Sequence, residues 1–344
     1  MDSLTHLVLG AVVGEIAARK QLGAKALALG AVAQYVPDLD VVAALWLNPA
    51  DNLVAHRGIT HSFLFVALGS VAFAWVARAV FRRPIAPWHF WIGFFALQLS
   101  LHIFIDAFNA YGAGWLEPFS SRKITFDTLY VVDPVFTLPL IVALTGLLFA
   151  RSIRRRRNFA LAGIALSGLY LIMTIGMRWI VVNQVESETA KLAEHDKLLV
   201  TPAPLNSLLW FVAAGNDSGF FTSYVSVFDN PDASRYAYFP RKEHLLAKSN
   251  AEPDIQTLKA FSQGYYTAEL WGDTLVFNDL RFGQIVGWTN PRSKFVFHYF
   301  VDYPEENTLV MQRGRFARWD RGAVRKLLTR IRGRTISPAG ENKR

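Results

Sequence analysis

The sequence predicts a mainly α fold: a polytopic membrane helical bundle of four long spans plus two short N-terminal helices. A smaller α+β extramembrane domain with an antiparallel sheet follows it. Three observations carry the prediction. Hydrophobic residues make up 52% of the 344-residue chain and the mean hydropathy is +0.22, both high for a soluble protein. Four apolar stretches approach the ~20 residues that a tilted helix needs to cross a bilayer. Charge divides the chain: residues 1–182 carry 15 Lys/Arg and 9 Asp/Glu, residues 183–344 carry 21 and 18, spread as on a soluble surface. The first part is read as the membrane domain (1–182) and the second (183–344) as the extramembrane domain.

The elements follow in order. "MDSLTH" is acidic where a secretory signal peptide would be basic, so Asp2/Ser3 reads as a helix N-cap. Segments 4–18 and 26–36 are apolar but short, and predict a pair of helices packed against the others. The long spans are 62–81, 88–106, 134–150 and 159–177. The first two carry the aromatic residues of a membrane interface. Cysteine is absent, which removes disulfides, thiolate metal sites and cysteine nucleophiles.

Basic residues set the orientation. Arg19, Lys20 and Lys25 follow the first short helix, Arg78, Arg82 and Arg83 the first long span, and "RSIRRRR" (151–157) the third. The positive-inside rule makes these turns cytoplasmic. The opposite turns, 37–61 and 107–132, carry only Arg57, Arg122 and Lys123 and should face outward with the C-terminal domain.

At that outward end lie the polar residues that fit poorly in an apolar domain. His6 begins the first helix, "VPDLD" places Asp38 and Asp40 after the second, and "HRGITHS" (56–62) brings His56, Arg57 and His61 ahead of the first long span. His102 and Asp106 close the next span at i, i+4, on one helix face. Gly58 is expected to let His56 turn, Thr60 or Ser62 to cap the helix that follows, and Pro37 to stop the second helix so that a turn gathers the two carboxylates. Asp127 and Asp133 are further candidates. The orientation comes from lysines and arginines, the cluster from histidines and aspartates, and the two agree.

This set predicts a metal centre of one or two divalent transition ions, zinc before manganese or iron because the donors are nitrogen-rich. Asp40 is expected as ligand and general base, and Arg57 as a catalytic clamp on developing negative charge or an interfacial cation. His89, His195, His244 and His298 have no ligand spacing and are read as structural.

The motifs "MDSLTH", "VPDLD", "HRGITHS", "HIFIDAFNAYGAGWLEPFS" and "VDP" resemble the YdjM-like family of bacterial inner-membrane, predicted metal-dependent hydrolases. The likeness covers about the first half of the chain. "DLRFG" (279–283) resembles longer members with an added C-terminal domain. The resemblance implies a multi-pass inner-membrane protein with His6, Asp38, Asp40, His56, His61, His102 and Asp106 as metal-site residues. A more distant likeness is to the zinc-dependent phospholipase C group, from which this chain departs: no histidine occurs between 102 and 195.

Residues 208–302 hold short β-branched and aromatic runs, "LLWFVAA", "FFTSYVSVF", "TLVFNDL", "QIVGW" and "KFVFHYFVDY", which predict the sheet. "RGAVRKLLTRIRGR" (321–334) reads as a basic helix on an anionic lipid surface, and "SPAGENKR" (337–344) as a disordered tail.

The function expected is a membrane-bound metal-dependent hydrolase acting on an ester or phosphoester, lipid-like substrate at the outer surface. Membrane lipids are the expected partners, and nucleic acid is not. The alternative is a non-catalytic, metal-stabilised membrane protein whose outer domain binds a partner. A transporter ranks last, since the spans lack mid-bilayer polar residues and only Pro139 interrupts one.

Overall fold

Helices α1 (Ser3–Leu22) and α2 (Lys25–Tyr35) pack backbone to backbone because their facing positions are small. A Cβ built on Gly30 would lie 2.1 Å from the Gly10 carbonyl oxygen, and one on Gly14 2.4 Å from that of Ala26. The antiparallel ladder is therefore Gly14 to Ala26, Gly10 to Gly30, and one turn further His6 to Gln34. Asp2 caps α1 by accepting from the Thr5 amide, as the sequence predicts.

The computed structural model describes residues 1–81, 86–190, 195–230, 236–309 and 317–333. It divides into two compact units, Met1–Leu45 with Ala55–Thr174, and Trp46–Val54 with Ile175–Arg344. Arg82, Arg83 and the tail 337–344, for which orientation and disorder are predicted, lie outside the described residues.

In the first unit the chain does not turn back at Pro37. The α-helical ladder ends at Tyr35, but i→i+3 bonding carries on as a 3₁₀ helix, Val36–Leu45. The short second helix expected over 26–36 is present as α2, and with its 3₁₀ extension Lys25–Leu45 is long and apolar enough to cross a membrane. After α3 (Pro49–Ala55), the other helices of sufficient length are α4 (Phe63–Val80), α5 (Trp88–Asp106) and α7 (Ile153–Thr189). Between them α6 (Pro134–Phe149), expected as a span, is apolar but 16 residues long.

The bundle is built as a lipid-facing one. Leu68, Val71, Trp75 and Val80 on α4 are each half exposed or more, which would be unfavourable in water and is ordinary against acyl chains. Inward, Val8, Leu9 and Val12 of α1 pack with Phe136, Leu140 and Leu147 of α6. One arginine of the 151–157 run turns in: Arg156 donates to Glu15 at 2.5 and 3.0 Å and caps the carbonyls of Leu147 and Ala150 that end α6. Glu15 and Arg156 are 4% and 8% exposed, so each compensates a charge that the interior would not tolerate alone.

The second unit holds two antiparallel sheets where one was expected. Strands β1 (Lys197–Pro202), β2 (Leu209–Asn216), β3 (Gly219–Ser226) and β4 (Ala237–Pro240) form the first in sequential order. Helices α8 (Glu243–Leu246) and α9 (Glu252–Phe261) precede β5 (Tyr266–Trp271), β6 (Thr274–Gln284) and β7 (Phe295–Phe300), the second sheet. "QIVGW" is not a strand of its own: β6 ends at Gln284 and turns follow. In β6 the Arg281 guanidinium pairs with Asp279 of the same strand and lies over Phe261, so "DLRFG" is a buried structural element.

The C-terminal helix α10 (Arg321–Ile331) departs from its expected pattern. Its apolar positions divide: Leu327 is buried, whereas Val324 and Leu328 are 40% and 52% exposed. Arg330, counted among the surface cations, is buried in an ion pair with Asp229.

Candidate metal centre

Four elements of the first unit bring their polar ends to one point. Asp38 comes from the 3₁₀ helix after α2, His61 from a short 3₁₀ turn (Ile59–His61) ahead of α4, and His102 and Asp106 from the last turns of α5. One donor atom from each lies within 4.8 Å of the other three, and all four residues are buried.

The tautomers follow from the outer partners. His102 Nδ1 lies 2.5 Å from the Gln34 carbonyl, which only accepts, so Nδ1 carries the proton and Nε2 presents a lone pair. His61 Nδ1 lies 3.0 Å from Thr60 Oγ1 and 3.4 Å from Asp40 Oδ2. The Thr60 hydroxyl proton goes to Asp40, leaving its oxygen to accept from His61. His61 therefore also turns an Nε2 lone pair inward. These are the hydrogen bonds by which an outer layer fixes histidine ligands.

The consequence is electrostatic. The two Nε2 atoms stand 3.1 Å apart with no proton between them. Asp106 Oδ2 is 3.1 Å from His61 Nε2 and 3.5 Å from His102 Nε2, and makes no hydrogen bond among the described residues. Asp38 Oδ1 is 3.6 and 3.5 Å from the same two nitrogens. Four lone-pair donors facing one another repel unless a cation lies among them. For a tetrahedral ion with bonds of about 2.0–2.1 Å the donor separations are about 3.3–3.4 Å. The five that involve a histidine nitrogen are 3.1–3.6 Å, and the two carboxylate oxygens lie within 4.8 Å of each other. The four residues could hold a metal ion.

The remaining predicted residues surround this point. His6 stacks on His102 with ring centroids 3.8 Å apart, and its Nε2 is 3.2 Å from Asp106 Oδ1. That oxygen also faces Arg57 Nη2 at 3.3 Å and the Met1 α-amino group. Arg57 is 4% exposed; it donates to Asn109 Oδ1 and the Met1 carbonyl and lies over the Tyr111 ring. These contacts hold the guanidinium against Asp106, where its charge balances the carboxylate.

Asp40, expected as ligand and base, stands one layer out from the four converging donors. Its Oδ1 accepts from His56 Nδ1 at 2.7 Å, and its Oδ2 accepts from the Arg57 amide and Thr60 hydroxyl, both at 2.8 Å. With both oxygens engaged, it orients His61. His56 likewise holds Asp40 and stands outside the four-atom set. Burial lowers the His56 pKa against the opposing pull of Asp40.

Local backbone explains why "HRGITHS" reads as it does. The left-handed residue is Arg57 (φ +60°), not Gly58. Gly58 is required by close approach: a Cβ there would lie 2.8 Å from Glu117 Oε2 and 2.9 Å from the Ala55 carbonyl oxygen. Ser62, of the two candidates, caps α4 through the Phe65 amide. Lys123 bonds the Arg57 carbonyl and Glu117, both at 3.0 Å, and pins the turn from below. Burial pulls the Lys123 ammonium below its ordinary pKa, with Glu117 opposing.

Asp133 is a helix cap: Oδ1 accepts from the Val135 and Phe136 amides, and Oδ2 from the Tyr170 hydroxyl. Asp127 accepts from Thr125 within its own turn. Gln34, which the motifs do not single out, serves two imidazoles, His102 through its carbonyl and His6 through Oε1 at 3.4 Å. Its signal was the small-residue spacing Ala26, Gly30, Gln34 opposite His6, Gly10, Gly14.

The chain is 32% identical over 156 residues to the uncharacterized protein YfhP of Bacillus subtilis (strain 168), covering 42% of this chain and 45% of YfhP. It therefore matches less than half the length of that relative. It is 26% identical over 122 residues to the inner membrane protein YbcI of Escherichia coli (strain K12), covering 35% of this chain and 69% of YbcI. No solved structure matches, so the likeness to zinc-dependent phospholipase C rests on motif order alone. The sequence model of the YdjM inner membrane proteins matches residues 1–181, the region that contains every residue of the cluster. On that match the chain belongs to the YdjM inner membrane protein family.

Proposed function

We propose that this protein is a membrane-bound, metal-dependent hydrolase that cleaves an ester or phosphoester bond in a lipid-like substrate at the outer membrane surface. The observation that carries the reading is the convergence of His61, His102, Asp38 and Asp106 on one point, with Asp106 Oδ2 making no hydrogen bond among the described residues. A divalent ion held by these four would supply Lewis acidity and lower the pKa of water at neutral pH. Three of the four side chains are 0% exposed and that of Asp38 is 10%, so water and substrate would reach the cluster on the Asp38 side. In this reading Asp38 would accept a proton there. Arg57 balances Asp106, while Asp40 and Gln34 hold the imidazoles in their donor tautomers. A lipid-like substrate follows from the setting: Leu39, Val41 and Val42 flank the two aspartates and are 45–52% exposed. The scarcity of basic residues in the turns at this end supports an outward-facing site.

A second reading has its own observation. Four protein donors are enough to close a tetrahedral ion, as in structural sites. The protein would then be metal-stabilised and non-catalytic, with its outer domain engaging a partner.

One experiment separates the two. Zinc- or manganese-loaded protein in nanodiscs is assayed on bis(p-nitrophenyl) phosphate, p-nitrophenyl esters and phospholipid headgroup release. The hydrolase reading expects turnover that chelation and His102→Ala abolish and metal restores. Stoichiometric metal that raises the melting temperature with no turnover on any of these would establish the structural reading instead.

A further inference from the structure

Helix α10 keeps two kinds of residue on two faces, and only one face packs against the other described residues. Inward, Ala323 and Leu327 are buried, and the Ala323 carbonyl accepts from Trp288 Nε1 at 3.0 Å. Arg330 pairs with Asp229 and donates to the Tyr224 carbonyl, and Ser226 Oγ bonds the Ile331 carbonyl at 2.6 Å. Asp320 caps the N-terminus through the Ala323 amide. The helix is thus fixed in place with no help from its outer face.

That outer face carries Arg321, Arg325 and Arg332, all exposed, with exposed Lys326 beside them. From 321 to 333 the sequence contains no acidic residue. Between the arginines stand Val324 and Leu328, at helical spacing with them, and Phe228 lies at the C-terminal end, 60% exposed and in contact range of Gly333. The exposed aliphatic and aromatic groups are unexplained by packing.

We propose that this face docks on an anionic phospholipid surface, with the arginines at the headgroups and Val324, Leu328 and Phe228 entering the acyl boundary. Charge complementarity selects the sign of the partner, and a bilayer is always present to a chain with membrane-spanning helices. A polyanion such as RNA would use the cations but leave the three apolar side chains in water. A lipid surface uses both.

The chain has no cysteine, so a single nitroxide can be placed on the full-length protein by Leu328→Cys, at a position the fold leaves exposed. Its collision rate with a water-soluble relaxation agent is compared in nanodiscs of phosphatidylcholine alone and of phosphatidylcholine mixed with phosphatidylglycerol. The expected result is a several-fold fall in accessibility in the anionic bilayer, reversed by high salt and by Arg321→Gln/Arg325→Gln/Arg332→Gln. A Thr222→Cys label, at a buried strand position of the same unit, reports folding of the triple variant by remaining immobile. Equal accessibility in the two bilayers would overturn the proposal. So would protection by an RNA oligomer in the neutral bilayer.

Discussion

Asp106→Asn is expected to lower divalent-metal affinity by more than about 100-fold, and Asp40→Asn by about 10- to 100-fold. The ranking follows from position. Asp106 Oδ2 is one of the four converging donors and has no hydrogen bond to lose, so its charge serves the ion. Asp40 acts through His61: its amide would still fill the space, but would hold the imidazole less firmly as a donor. Asparagine keeps the shape at both positions, which separates affinity from collapse of the site. Competition titration of zinc against a fluorescent chelator measures both variants. Equal losses, or a greater loss for Asp40→Asn, would place Asp40 among the donors.

Gly30→Leu should destabilise the membrane unit by about 3 kcal/mol, at the upper end of overpacking costs. Even the first carbon of a side chain would meet the Gly10 carbonyl oxygen at 2.1 Å, and backbone cannot move aside as a flexible side chain can. Separation of α1 from α2 also draws His6 from Gln34, and Gln34 supplies the carbonyl that orients His102. Thermal unfolding in detergent, followed by circular dichroism, should show a lower midpoint and weaker metal stabilisation. Gly93→Leu is the control, because nothing lies within 4 Å of a Cβ there. Identical midpoints for the two variants would mean that the glycine ladder does not set the helix contact.

The candidate site was legible because its members lie at the ends of apolar segments, where hydropathy alone flags a histidine or aspartate as costly. Alternation of basic turns placed those ends together before any contact was known. Which residues touch the ion was not legible. Asp38 and Asp40 are two residues apart with the same chemistry, and only the 3₁₀ continuation past Pro37 sets one on the cluster and the other behind His61. "HRGITHS" hid its geometry in a similar way: the left-handed residue is Arg57, while Gly58 is set by its close approach to Glu117 and the Ala55 carbonyl. In the second unit the strands with strong β-branched runs were visible. Strand β5 (YTAELW) was not, since its mixed, charge-bearing pattern carries little signal. Arg330 looked like one more surface cation until Asp229, far away in sequence, claimed it.

The central claim is that His61, His102, Asp38 and Asp106 hold a metal ion, and elemental analysis of the purified full-length protein tests it most directly. Purified without chelators, the wild type should carry one zinc, manganese or iron ion per chain, and a folded His102→Ala/Asp106→Ala variant should carry none. A folded wild type with no transition metal, or a double variant that keeps its full complement, would contradict the account.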